Sequence, residues 1–148
     1  MDRGEKHAAA CRLIDTLEDY DIPIFTAITT LKDVYYLIGS DLKRMTRLSG
    51  EDITPQIAAA INETAWGCIR NLISIAPLMI NMGSSEVWRA ISLKQEDPDF
   101  EDALTITAAE KATVSCIVTG DKTLSQRSHI ACFDTDTAVS ILRKNSIS

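Results

Sequence analysis

The feature that most constrains this chain is an alternation. Short β-branched or apolar runs hand over, again and again, to segments with helical period. Parallel strands lying side by side need a crossover of a dozen or more residues, usually a helix, so the alternation predicts an α/β sandwich, three layers deep, around a mainly parallel sheet. Residues 5–18 place Ala10, Leu13, Ile14 and Leu17 on one helical face. The Ile- and Thr-rich stretch 22–30 suits a buried strand. Leu31, Val34, Leu37, Ile38 and Leu42 then resume helical period, and Gly39 weakens that helix without ending it.

Thr54-Pro55 supplies a capping residue followed by proline at the first helical position, and Ile57, Ile61, Ala65, Ile69 and Leu72 carry the helix on to near Ile73. The apolar run 73–80 contains Pro77, which confines it to an edge strand. Ser84 or Ser85 is expected to cap a short helix that turns Val87 and Ile91 inward. Residues 96–102 hold Glu96, Asp97, Asp99, Glu101 and Asp102 and lead into a helix over 103–112. Residues 114–119 read as a buried strand broken by Gly120-Asp121, and 130–133 as another. Asp134 or Thr135 then caps a last helix bearing Ala138, Ile141 and Leu142. With no repeat, low-complexity tract or linker, the 148 residues are expected to form a single domain, 1–148.

A net charge of −6 leaves no broad positive field for nucleic acid, so contact with phosphates must come from a local patch or a bound metal. Lys32, Lys43, Arg44 and Arg47 form one candidate patch, and Lys122 with Arg127 another; a solvated helix surface explains each equally well. No apolar run reaches the roughly 18 residues of a membrane span, and the polar start 1–6 does not read as a signal peptide. The chain is therefore expected in the cytoplasm, without a membrane partner. Cys11, Cys68, Cys116 and Cys132 share no C-x-x-C spacing and are expected to pack as reduced small hydrophobes. His7 and His129 lack partner spacing, and Trp66 and Trp88 read as core or interface residues.

Ligands of open parallel sheets bind outside the carboxyl ends of the strands. Asp121 follows the strand at 116–119, Asp33 lies one turn past the strand ending near Ile28, and Asp102 opens the helix that feeds the 116–119 strand. Clustered carboxylates suit a hard divalent cation such as Mg²⁺ or Mn²⁺. Acids at a helix start also offset the macrodipole, which explains Glu101 and Asp102 without any ligand.

Asp99-Phe100-Glu101-Asp102-Ala103-Leu104, then an Ala-rich helix, then Cys116-Ile117-Val118-Thr119-Gly120-Asp121-Lys122-Thr123-Leu124 resemble the second half of PIN domains. Upstream, Thr29-Thr30-Leu31-Lys32-Asp33-Val34-Tyr35-Tyr36-Leu37 is similar to the segment that carries that family's second acid. The resemblance implies a Mg²⁺- or Mn²⁺-dependent endoribonuclease specific for single-stranded RNA, often the toxin of a toxin–antitoxin pair. It makes Asp33, Asp102 and Asp121 the catalytic metal ligands, with Asp99 and Glu101 as further acids and Thr119 as a residue that orients water or ligand. RNA and an antitoxin protein are the partners it implies.

PIN domains open with an apolar strand that runs into an aspartate and lies in the middle of the sheet. Here residues 2–7 already look like the junction before the family's second helix, and Asp2 has no strand before it. The expectation is a PIN-like domain truncated before that strand and acid. Its catalysis should be weak or absent as written, unless the true start lies upstream. Its sheet must close by direct pairing of the neighbouring strands, by a segment from another copy of the chain, or by two protomers joining across their open edges as a homo-oligomer, because a buried strand edge leaves costly unpaired backbone groups. A non-catalytic PIN-like interaction module is the alternative, and an unrelated sandwich with a receiver-like acidic pocket ranks last.

Overall fold

The computed structural model describes residues 3–96 and 99–145. Asp2, and Asp97 and Pro98 of the acidic run, lie outside the described residues. The elements follow the order α1 (Arg3–Asp19), β1 (Phe25–Ala27), α2 (Ile28–Leu48), α3 (Pro55–Ile75), β2 (Leu78–Ile80), α4 (Ser84–Ser92), α5 (Phe100–Ala112), β3 (Ile117–Val118), α6 (Lys122–Arg127), β4 (Cys132–Phe133) and α7 (Thr135–Asn145). Strand–helix alternation is therefore present, and the class is α/β.

The strands are shorter than expected, and their helices correspondingly longer. The stretch 22–30 is extended only at Phe25–Ala27, because Ile28 already begins α2 with Thr29 and Thr30 in its first turn. Ile73 and Ile75 complete α3, so that only the residues after Pro77 form β2. Thr54 caps α3 as expected, its side chain accepting from the Ile57 amide at 3.2 Å. At α4 the cap is Gly83 rather than Ser84 or Ser85. The Glu86 carboxylate at the third helical position reaches back to accept the Gly83 amide at 2.6 Å and the Ser85 hydroxyl at 2.8 Å, which satisfies the turn without a side chain on the cap. These bonds, the Gly83 amide first, hold the Glu86 carboxyl down to about 2.

The single central sheet expected from the alternation is not seen. Two separate parallel pairs form instead, β1 with β2 and β3 with β4. In the first, Thr26 lies opposite Met79; in the second, Ile117 lies opposite Cys132. The Ile117 and Thr119 amides donate to Ala131 and Phe133, at 2.8 and 2.9 Å. Backbone groups alternate sides along a strand, so those of Val118 face away from β4. The physical reason for the split is that no described strand lies between the pairs, and none of the described backbone bonds joins them.

Helix α5 holds the molecule together. Its Ala103 and Ile106 pack with Ala90 of α4, Leu93 at the C-cap of α4 and Leu124 of α6, with Ile117 of β3 against them. Its Ala108 packs with Ala27 of β1 and Ile80 of β2. The small alanines let this helix approach both strand pairs closely. Arg89 of α4 clamps Glu110 of α5 through Nε at 3.0 Å and Nη2 at 2.9 Å, and His129 Nε2 lies 3.0 Å from the same carboxylate. The hydrogen bond from Arg89 and its positive charge lower the Glu110 pKa, against the burial that raises it. A separate cluster joins Leu13 of α1 to Ala138 and Val139 of α7. Neither tryptophan is core: Trp66 and Trp88 are 50% and 69% exposed. All four cysteines are free, and Cys11 is exposed rather than packed. No helix among the described residues is long and apolar enough to cross a membrane.

Candidate functional site

The acids singled out in the sequence stand at the starts of three helices. Asp99 is the N-cap of α5; its Oδ1 accepts the Glu101 and Asp102 amides at 2.9 and 3.0 Å. Glu101 and Asp102 follow in the first turn, where carboxylates offset the positive end of the helix. Asp121 is the N-cap of α6, a helix not assigned from sequence. Its Oδ1 accepts the Thr123 and Leu124 amides at 2.8 and 3.3 Å, while its own amide donates to Thr119 Oγ1 at 3.0 Å. Thr119 thus orients the Asp121 backbone. A capping aspartate followed by Lys-Thr-Leu was the sequence signal for α6, and the brevity of the helix concealed it.

Asp33 lies in the second turn of α2 and is joined to α5 through Lys32. The Lys32 ammonium is 3.2 Å from Asp33 Oδ1 and 3.7 Å from Glu101 Oε1. This lysine was legible only as part of a basic patch. Its hydrogen bond to Asp33, reinforced by both carboxylate charges, raises its pKa. All three side chains are well exposed, so the link is worth little as stability. Its value is positional: it shows that the starts of α2 and α5 meet, and that two carboxylates there share one positive charge.

The donor chemistry suits a hard cation, since only carboxylate oxygens are offered. Their placement does not yet amount to a centre. Among the described residues no three His, Cys, Asp or Glu side chains are gathered where one metal ion could be held. Asp33 and Glu101 converge on Lys32, Asp99 and Asp102 sit beside Glu101, and Asp121 is hydrogen-bonded to Thr119, Thr123 and Leu124 of its own segment. No catalytic step through a metal follows from this arrangement.

A second concavity lies between α2 and α3. It is a groove of about 490 Å³ with Tyr35, Tyr36, Gly39 and Lys43 on the α2 side and Ile61, Asn62 and Ala65 on the α3 side. The Tyr35 hydroxyl donates to Asn62 Oδ1 at 3.4 Å, and its ring meets Tyr36 and Trp66 edge-on at 5.2 and 5.5 Å between centroids. Helical spacing put these residues in reach of one another, but only the pairing of the two helices makes a groove.

The PIN domain family model matches residues 1–123, which cover α1 to the start of α6. No curated protein and no solved structure matches at a significant level. The match takes in every acid placed above, Asp33, Asp99, Glu101, Asp102 and Asp121, and by it this chain belongs to the PIN domain family, whose members are generally nuclease-like.

Proposed function

We propose that this chain is a PIN domain of the single-strand ribonuclease type, weak in catalysis as it stands, with Asp33, Asp102 and Asp121 as its metal-binding carboxylates for Mg²⁺ or Mn²⁺. The observation that carries the reading is the meeting of Asp33 and Glu101 around one cation, the Lys32 ammonium, across the starts of α2 and α5. Carboxylates from separate helices that share a positive charge mark a point where negative potential concentrates. The weakness follows from the ungathered set: too few oxygens converge to hold a divalent ion tightly. Incubation of single-stranded RNA with the protein and Mn²⁺ tests the reading. Slow cleavage that disappears in Asp102→Asn is expected; cleavage that survives this substitution removes it.

The same ungathered set favours one other reading, a non-catalytic PIN module that works by binding. Titration calorimetry separates the two. Mn²⁺ binding abolished by Asp121→Asn counts against the non-catalytic reading, and no detectable binding counts against the nuclease. An antitoxin-type protein or a second copy of the chain is the proposed partner in either case. The edge of β3 at Val118, which faces away from β4, and the absence of backbone bonds between the strand pairs among the described residues support strand addition as the mode of contact. A role as the toxin of such a pair is part of the same proposal.

A further inference from the structure

The groove between α2 and α3 has a composition that neither helix packing nor solubility explains. Its floor is apolar and closed, since Ile61 and Ala65 are buried. Tyr36, on its wall, is 66% exposed and already held edge-on by Tyr35, which leaves its ring available to a planar ligand. Asn62 is exposed, and its amide nitrogen makes no hydrogen bond among the described residues. Lys43 is exposed and makes no ion pair among the described residues, unlike Arg44 one residue on, which is held by Asp41 at 3.3 Å.

Gly39 is the second, independent observation. Glycine is disfavoured inside a helix, and here it lies near the middle of α2. A Cβ placed on it would meet no heavy atom within 4 Å, so close packing does not require it, and its φ is not positive. Gly39 lines the α2 side of the groove, so a longer side chain at this position would enter open space there.

We infer that this groove binds single-stranded RNA, one base stacking on Tyr36 with its edge read by the Asn62 amide and a neighbouring phosphate paired with Lys43. An aromatic face, an amide donor and a lone cation in a chain of net charge −6 match a nucleotide rather than an anionic surface at large. Lys43 lies about 15 Å along α2 from Asp33, so a strand seated here runs on toward the acids where α2 meets α5. The choice of RNA as ligand rests on the nuclease reading; the groove itself does not.

Fluorescence anisotropy of end-labelled octauridine and octaadenosine RNA, titrated with the full chain in EDTA, tests binding apart from cleavage. Tyr36→Ala should weaken binding roughly fivefold or more, as loss of one stacked base does. Gly39→Met should weaken it at least as much while leaving the helical circular dichroism intact or stronger. Lys43→Gln should lower the slope of log K against log salt by about 0.7, the value for one phosphate of a single strand. Asp136→Asn, in the first turn of α7 and outside the groove, should bind as the wild type does. Wild-type binding by all three groove variants overturns the inference and leaves the nuclease reading standing. RNA binding that requires the groove, without any Mn²⁺-dependent cleavage, supports the inference and removes the nuclease reading. If the wild type binds no RNA, or sedimentation shows self-association through this face that Gly39→Met abolishes, the groove is not an RNA site and the inference falls.

Discussion

Thr107→Val is expected to make the protein more stable, although it removes a polar group from a helix that carries two of the acids, Glu101 and Asp102, and is capped by a third, Asp99. Thr107 lies on α5, is 2% exposed, and its hydroxyl is buried without a hydrogen-bond partner among the described residues. Threonine hydroxyls elsewhere in the molecule bond back to the carbonyl four residues earlier: Thr16 to Arg12 at 2.6 Å, Thr46 to Leu42 at 2.9 Å, and Thr105, on α5 itself, to Glu101 at 3.0 Å. A buried polar group left unsatisfied costs about 1–3 kcal/mol. Valine has nearly the shape of threonine and a similar helix propensity, so the substitution removes that cost with little cavity or backbone penalty. The gain should lie near 1–2 kcal/mol, a rise in melting temperature of roughly 2–4 °C per kcal/mol for a chain of this size. Urea unfolding followed by circular dichroism is the measurement, read as a shift of the midpoint at constant slope. Thr105→Val is the control: it deletes a bond that is made and should cost about 0.5–1.5 kcal/mol. A neutral or destabilised Thr107→Val would show that the hydroxyl is bonded in solution, and that α5 does not pack between the strand pairs as described.

Gly39→Ala should stabilise the protein by about 0.5–1 kcal/mol, because the added methyl meets nothing and only helix propensity changes; thermal melting reads it. Asp121→Asn should leave stability nearly unchanged, since asparagine caps as well as aspartate, whereas Asp121→Ala should cost about 1 kcal/mol. Loss of Mn²⁺ binding in the asparagine variant then reports on the carboxylate charge and not on the cap. Glu86 is held at about 2 in the folded protein against an ordinary value of 4.5. Its folded pKa is depressed, so its contribution is complete above 4.5 and is lost as pH falls toward 2. The stability gap between wild type and Glu86→Gln should accordingly shrink across that window. Ile106→Ala, in the cluster shared by α4, α5 and α6, should cost about 2–5 kcal/mol, and a smaller loss would mean that the cluster is loosely packed.

What could be read from the chain and what could not divide along the range of the interactions. Thr54 before Pro55, Asp134 before Thr137 and the helical spacing in α1, α2, α3, α5 and α7 were legible, because a cap or an amphipathic face is decided within a turn or two of the chain. The alternation of class and the ordered acids that resemble a PIN domain were legible for the same reason, each motif being contiguous. Gly83 as a cap was hidden because a glutamate three residues on does the work usually done by the capping side chain. Strand lengths, the split of the sheet into two pairs, the meeting of Asp33 and Glu101 at Lys32 and the groove between α2 and α3 were decided by the tertiary structure alone. Each depends on two segments distant in sequence arriving at one place. Local propensity says which residues are ready to pair, while burial against α5 and the lack of a described strand between β1 and β3 settle which of them do.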